Sequence, residues 1–573
     1  MSHLAQEVKQ TGAFPEPIVP SNQSSPSPLA PLAALKTLSK GLSAYFVTLI
    51  SESDPVLRVG AWHALIDADA VVPRLHFLLL KDCVYGSVRP KAFDYFEKGA
   101  EHELAARAAA AQVPNVEAIR AARMKAQLEY DSVAGSAAEE ALYLATGRVE
   151  HLIAMIAEAE VAAGWKGGAE AVARAFVAMP TNVLVLERLF MLLESASQTS
   201  LLAELAMHLR SANVFPHLAD LADAIEAGLS GDAQGSLRRL DAMAKNAAYA
   251  KALKPFFGLV LKVRADALDR VGDYRDAATA FAALNAHDKQ QASGVDPASF
   301  SKSVETGSKI AVPRLPDDPR TDVISMVGFP RSGTTLLENA LNAHPLIETF
   351  EEIPARAAAV KHLERFILRK EDLGMSAETA ALGARGKFYD EIERRRGKAG
   401  ARVLINKFPL SSADARALFN LLPKHRHIFS IRHPFDVAFS CFRQRFRANP
   451  AMENFHSIPD VAKIYDFTMT QWFSVHSMED PLVHYVRYEQ LVTEFETTLG
   501  DVLGFLGLEW DDEVLSFAAK AEARAAQTPS YQKVRKGLAI GVQTSWRNYE
   551  FLFKTPEAKP LYKWAEFFGY PTK

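Results

Sequence analysis

Only two of the 573 residues are cysteine, Cys83 and Cys441, too few for a disulfide framework and too far apart in the chain for a Cys-based zinc site. That usage fits a reducing compartment, and the expected location is cytoplasmic. Long apolar runs are missing too: the best candidates, such as Leu75 to Leu80, fall well short of the ~18 residues of a membrane span. Met1 to Lys40 has no basic stretch followed by an apolar one, so no secretory signal is expected. Nor does one sign of charge dominate. Lys and Arg number 65 against 68 Asp and Glu, a formal net charge of -3, which removes the global electrostatic case for a nucleic-acid or membrane binder. Any anion site must be local. What the chain has in quantity is apolar residues: at 49% hydrophobic and 23% charged it can bury cores over most of its length, so bulk disorder is excluded. At about 150 residues per domain, the length predicts three to four domains, or a repeat array joined to a catalytic domain.

Residues 1–32 read as a leader, because 11–32 is dense in Pro and Ser and has no periodicity. Residues 33–305 then read as helical. They are rich in Ala and Leu, nearly free of β-branched runs and punctuated by Gly. Within them Leu268, Gly272, Tyr274, Ala277, Ala280 and Phe281 fit the helix-turn-helix pattern of a tetratricopeptide repeat, with Gly272-Asp273 at the turn. Similar breaks are expected at Gly164–Gly168, Ser195–Gln198 and Ser230–Asp232, spaced roughly as the ~34-residue period of that repeat requires. An irregular helical domain without true repeats is the competing reading. Turn formers across 291–319 mark a connector, with the linker proper at 306–319 and a catalytic domain at 320–573. In that last segment Val323–Val327, Val403–Ile405, His427–Ile431 and Leu482–Val486 are strand-like and alternate with amphipathic stretches. The alternation predicts an α/β P-loop domain, a parallel sheet with helices on both faces.

The sharpest motif is the run from Val323 to Leu341, in which an apolar strand leads into Gly328, then Arg331-Ser332-Gly333-Thr334-Thr335, then a helix. The two glycines are spaced as in a phosphate-binding loop, where backbone N–H groups and a helix N-terminus converge on an anion. The loop Lys that reaches the outer phosphates of a nucleoside triphosphate is replaced by Thr334, which argues against ATP as phosphoryl donor and against a P-loop kinase. Arg331 supplies positive charge instead. Further along, Arg432 ends a strand and Ser440 follows two helical turns later, a spacing that lets both grip one phosphate dianion.

Together these elements resemble a sulfotransferase that uses 3′-phosphoadenosine 5′-phosphosulfate. The loop Pro330 to Thr335 resembles that family's 5′-phosphosulfate loop, and Arg432 with Ser440 its 3′-phosphate element. Over roughly 320–573 the resemblance is to the tyrosylprotein sulfotransferase type and to bacterial proteins that fuse tetratricopeptide repeats to such a domain. It implies Glu352, the second of Glu351-Glu352, as general base. It implies Lys407, in Asn406-Lys407-Phe408-Pro409, beside the bridging oxygen, and Ser530 stabilising the transition state. Tyr488 would contact the nucleotide, and Arg535 and Lys536 would add charge near the 3′-phosphate. No metal is implied.

The chain also departs from that pattern. Pro354 stands where the tyrosine enzymes have an Arg that helps read acidic peptides, with Arg356 two residues on. Gln444, flanked by Arg443 and Arg445, stands in place of another family Arg. Ser545 replaces a family Lys just before Trp546, with Arg547 beyond it. His425, His427 and His433 crowd one strand and its end without a carboxylate or Cys at ligand spacing, so no metal site is expected. The expected reaction is in-line sulfuryl transfer to a hydroxyl of a protein tyrosine or a glycan. The expected role of the helical domain is to hold the acceptor, with a homodimer left open. The competing reading is an interaction scaffold with an inactive domain.

Overall fold

The computed structural model describes residues 116–572 except 130, 147, 179–182, 212–214, 293, 318–319, 354, 369–375 and 518–544. The leader and the helical reading of 33–115 lie outside the described residues. The chain divides into two compact units, Met1–Asp273 and Tyr274–Lys573.

Among its described residues the first unit is helical throughout, running from Val116–Glu129 to Phe257–Val271 around a core that includes Met155, Leu189, Phe190, Leu205, Leu221 and Phe256. Two of the expected breaks are present. The helix Val183–Ser195 gives way to Thr199–Ser211, and Pro216–Ser230 stops at Gly231 in the left-handed region (φ 103°), after which Asp232 caps the next helix by accepting from Gly235 N at 2.8 Å. The third is not. The helix Val149–Ala178 runs straight through Gly164–Gly168. Gly168 serves close packing instead: a Cβ there would stand 2.9 Å from a methyl of Leu192.

The second unit is built on five parallel strands in the order β2-β3-β1-β4-β5: β1 Val323–Gly328, β2 Ile347–Glu351, β3 Val403–Lys407, β4 Arg426–Ile431 and β5 Val483–Arg487. Strand alternation sends neighbours to opposite faces. Ile324 and Met326 join Leu337, Leu341, Leu499 and Leu503 on one side, while Val323 and Leu404 join Leu363, Phe388 and Leu422 on the other. From β1 the chain moves out to β2, returns to β3, then crosses to β4 on the far side of β1. The crevice at the carboxyl end of β1 is thus a topological switch point, where open α/β sheets place ligands.

Two segments differ from the sequence reading. The expected connector 291–319 contains a helix, Ala298–Lys309, which starts behind Pro297 and buries Val304 and Gly307 on one face. The division into units falls after Asp273, not at 306–319. The helix Tyr274–Gln291, which supplied the second half of the best repeat match, belongs to the second unit.

His427 of β4 packs among His425, His476 and Trp472, at ring separations of 5.0, 5.2 and 5.2 Å, with its Nδ1 shielded from solvent. Burial first, then the charges of His425 and His476, hold its imidazolium far below the ordinary histidine value. The unfolded chain therefore takes up a proton near pH ~6.5 that the fold refuses, so the stability His427 contributes is present above that value and declines as pH falls below it. Melting curves should show a loss of about 1.4 kcal/mol per pH unit below ~6 that His427→Phe removes. Equal pH slopes in the two proteins would contradict this.

Candidate active site

From the end of β1 the chain turns through Phe329 to Gly333 into the helix Thr334–Ala343. Both glycines are sterically required. A Cβ on Gly328 (φ 153°) would stand 2.7 Å from the carbonyl oxygen of Ser430, and one on Gly333 (φ 93°) would stand 2.4 Å from the ring of Tyr488. Tyr488, at the end of β5, therefore lies directly on the loop. The helix starts with no side-chain cap, and the N-terminus of a helix favours negative charge. Ser332, Thr334 and Thr335 are buried around that start.

Arg331 adopts φ 74°, a left-handed conformation that non-glycine residues rarely hold. Its Nε donates to Ser440 Oγ at 3.0 Å, and its carbonyl oxygen accepts from Arg432 Nη1 at 3.3 Å. The Arg432 guanidinium lies 4.5 Å over the Tyr488 ring and 3.9 Å from Asp436. Arg331, Arg432, Ser440 and Tyr488 thus meet around one loop. Burial pulls the Arg331 guanidinium down to about 10, and the charges of Arg432 and Arg443 add to that against Cys441. Crowded, desolvated cations of this kind are relieved by a bound anion. Cys441 is spent on structure: its thiol donates to the Pro330 carbonyl at 3.7 Å, and burial pushes it up to about 12.

The second cluster lies at the ends of β2 and β3. Lys407 is wholly buried, its Nζ 3.2 Å from Glu351 Oε1, 3.3 Å from Glu352 Oε1 and 3.5 Å from Glu338 Oε2. Burial on its own would depress the ammonium, yet the charges of Glu351, Glu352 and Glu338 outweigh it and hold Lys407 above its ordinary value. The parallel register that sets Glu351 opposite Lys407 builds this arrangement, and Glu352 N donates to the Lys407 carbonyl at 2.7 Å. Glu352 has φ 52°, the second strained residue of the site. The two acidic neighbours differ sharply in access. The Glu352 side chain is 42% exposed and that of Glu351 7%.

Glu338 was not legible as a site residue. It sits on the loop helix, buried, and accepts from Thr349 Oγ1 at 3.1 Å. Arg356 is engaged by Asp414, whose carboxyl burial pushes up to about 6 against the pull of that guanidinium. Gln444 Nε2 donates to the Arg445 carbonyl at 3.1 Å. The Arg547 guanidinium stacks 5.0 Å over Trp546, whose backbone N donates to Asp436 at 3.3 Å. His433 stands apart from His425 and His427: its Nδ1 caps the Ser440 helix at Phe435 N and its Nε2 meets the Pro571 carbonyl. Among the described residues, no group of three or more His, Cys, Asp or Glu is placed to hold a metal ion. No described helix is long and apolar enough to cross a membrane. Ser530, Arg535, Lys536 and Pro354 lie outside the described residues.

Residues 324–512 match the model of the sulfotransferase family. This segment is a sulfotransferase-family domain. The match runs from β1 to just past β5 and takes in Arg331, Glu352, Lys407, Arg432, Ser440 and Tyr488. An uncharacterised protein of Aquifex aeolicus is 25% identical over 268 residues, 44% of this chain and 34% of its own length. A protein-tyrosine sulfotransferase of Drosophila melanogaster is 30% identical over 217 residues, 34% of this chain and 39% of its own length. The chain thus spans well under half of these relatives. Among solved structures, the sulfotransferase domain from the Synechococcus PCC 7002 olefin synthase is 19% identical, covering 45% of this chain and 98% of that one with a TM-score of 0.33.

Proposed function

We propose that the second unit transfers a sulfuryl group from 3′-phosphoadenosine 5′-phosphosulfate to an acceptor hydroxyl of a protein tyrosine or a glycan. The observation that carries this reading is the pairing of a half-exposed carboxylate, Glu352, with the wholly buried ammonium of Lys407 in the domain that also carries the anion loop without the kinase lysine. The donor supplies the activated sulfuryl group. The helix start and Arg331 bind its 5′ end, while Arg432 and Ser440 hold the 3′-phosphate. Glu352 accepts the proton of the acceptor hydroxyl as that oxygen attacks. Lys407 offsets the negative charge that grows on the departing phosphate, and the family resemblance assigns Ser530 to stabilising the transition state. Tyr488 packs the nucleotide against the loop, and the family resemblance assigns Arg535 and Lys536 to charge for the 3′-phosphate. The helical unit is assigned to presenting the acceptor, whose effective concentration such a tether raises.

Calorimetry tests the donor assignment. Adenosine 3′,5′-bisphosphate should bind far more tightly than ATP, and Arg432→Ala should weaken it by about 2–5 kcal/mol, the scale for a buried charge left without its partner. Equal affinity for adenosine 5′-phosphosulfate, which lacks the 3′-phosphate, would take Arg432 and Ser440 out of 3′-phosphate binding. The acceptor class follows from incubating the protein with labelled donor and a lysate and asking whether label travels with protein or polysaccharide.

A further inference from the structure

The helix Tyr274–Gln291 lies outside the family match, yet it packs along the outer side of the helix Pro434–Phe442 that carries Ser440. Phe281, fully buried, meets Phe439 and Phe442 edge-on at 6.4 and 6.2 Å. At the other end of the same contact Tyr274 meets Tyr549, which stacks on Phe439 at 4.0 Å. These contacts are apolar and would serve any packed helix. Two polar contacts are more specific. Asn285, buried, donates from Nδ2 to the carbonyl of Phe442 at 2.8 Å, an end-of-helix acceptor with no partner inside its own helix, and its Oδ1 meets His456 Nδ1 at 3.2 Å. Asp288 receives both arms of Arg445, Nε and Nη2, at 2.8 Å each.

Phe442 and Arg445 bracket Arg443, so this helix grips the chain on both sides of that residue. The Arg443 guanidinium lies between the rings of Phe281 and Phe439, at 5.4 and 5.6 Å. It sits three residues beyond Ser440, on the same helix face, and its charge is among those that bear on Arg331. We infer that Asn285 and Asp288 are positioning residues of the donor site: they fix the turn after the Ser440 helix and thereby set Ser440 and Arg443 against the 3′-phosphate. The inference rests on the donor assignment. It gives the helix Tyr274–Gln291 a part in nucleotide binding, where the sequence pattern assigns it to a repeat.

The test compares two ligands on the full chain by calorimetry: adenosine 3′,5′-bisphosphate, and adenosine 5′-monophosphate, which lacks the 3′-phosphate. Asp288→Asn keeps the size of the side chain and weakens the bidentate clamp. It should cost about tenfold in affinity for the bisphosphate and less than about twofold for the monophosphate, the scale of coupling between residues in one network. Arg445→Gln should give the same selective loss, and the double variant no more than either alone. If Asp288→Asn does not fold, Arg445→Gln carries the comparison, because that side chain is 22% exposed. Asn285→Ser extends it to the second contact. Equal weakening of both ligands, or no change in either variant, would overturn the inference and leave the helix as packing only. A wild-type protein with no preference for the bisphosphate would instead remove the donor assignment itself.

Discussion

Lys407→Met should destabilise the fold by about 3–5 kcal/mol and lower turnover by at least about 10²-fold, the scales for breaking a buried ion pair and for removing an electrostatic donor from an active site. The side chain it replaces is wholly buried among three carboxylates, two of which, Glu338 and Glu351, are buried themselves. Methionine fills a similar volume and leaves those carboxylates facing one another without a cation. The stability loss should be partly recovered by Glu338→Gln in the same chain, which removes one of the stranded charges and keeps the acceptor for Thr349. Turnover should not recover with it. Lys407→Arg should fail on both counts, because a planar fork does not fit where a compact ammonium sits between three oxygens. Denaturant melts and assays with the acceptor identified by labelling separate the two effects. A Lys407→Met protein as stable as the parent would show that Lys407 does not hold this cluster together. Retained turnover would take Lys407 out of the chemistry.

What could be read in advance depended on whether a residue's surroundings are local in sequence. The loop was legible because Gly328 and Gly333 sit at a fixed spacing between an apolar strand and a helix, and each is demanded by backbone geometry at its own position. Four strands were legible as short apolar runs. The edge strand Ile347–Glu351 was not, since Ile347 and Phe350 are separated by Glu348 and Thr349 and give it no apolar run of its own. Glu338 shows the same limit at the site. On a helix, an isolated glutamate reads as a solvated face, and only the fold brings it to Lys407 at the end of β3.

The helix Tyr274–Gln291 follows Phe257–Val271 across the expected turn at Gly272, and its apolar face has a use that the repeat pattern does not show. Ala277, Ala280 and Phe281 satisfy the small-and-aromatic spacing of a repeat helix, but a face of that kind suits any close helix contact, and here Phe281 is used against Phe439 and Phe442. The Gly164–Gly168 run misleads in a related way. Glycine can end a helix or let a neighbour approach it, and Leu192 occupies the space that Gly168 leaves open.

Glu352→Gln should lower turnover by roughly 10²–10⁴ and leave nucleotide affinity near that of the parent, because the amide keeps size and hydrogen bonding but cannot take the proton. Sequence alone leaves Glu351 and Glu352 as neighbours of equal chemistry, and the fold separates them. Glu351 opposes Lys407 in the β2–β3 register and is nearly inaccessible, whereas Glu352 leaves the sheet at φ 52° with its carboxylate 42% exposed and one oxygen 3.3 Å from Lys407. An acceptor hydroxyl can reach only the second. Glu351→Gln should accordingly lower stability more than turnover, since it removes the shortest of the three contacts to a buried ammonium. A full loss of turnover in Glu351→Gln with normal turnover in Glu352→Gln would shift the base by one residue. A normal rate in both would mean that neither carboxylate accepts the proton, and the site would then bind the donor without the base proposed for it.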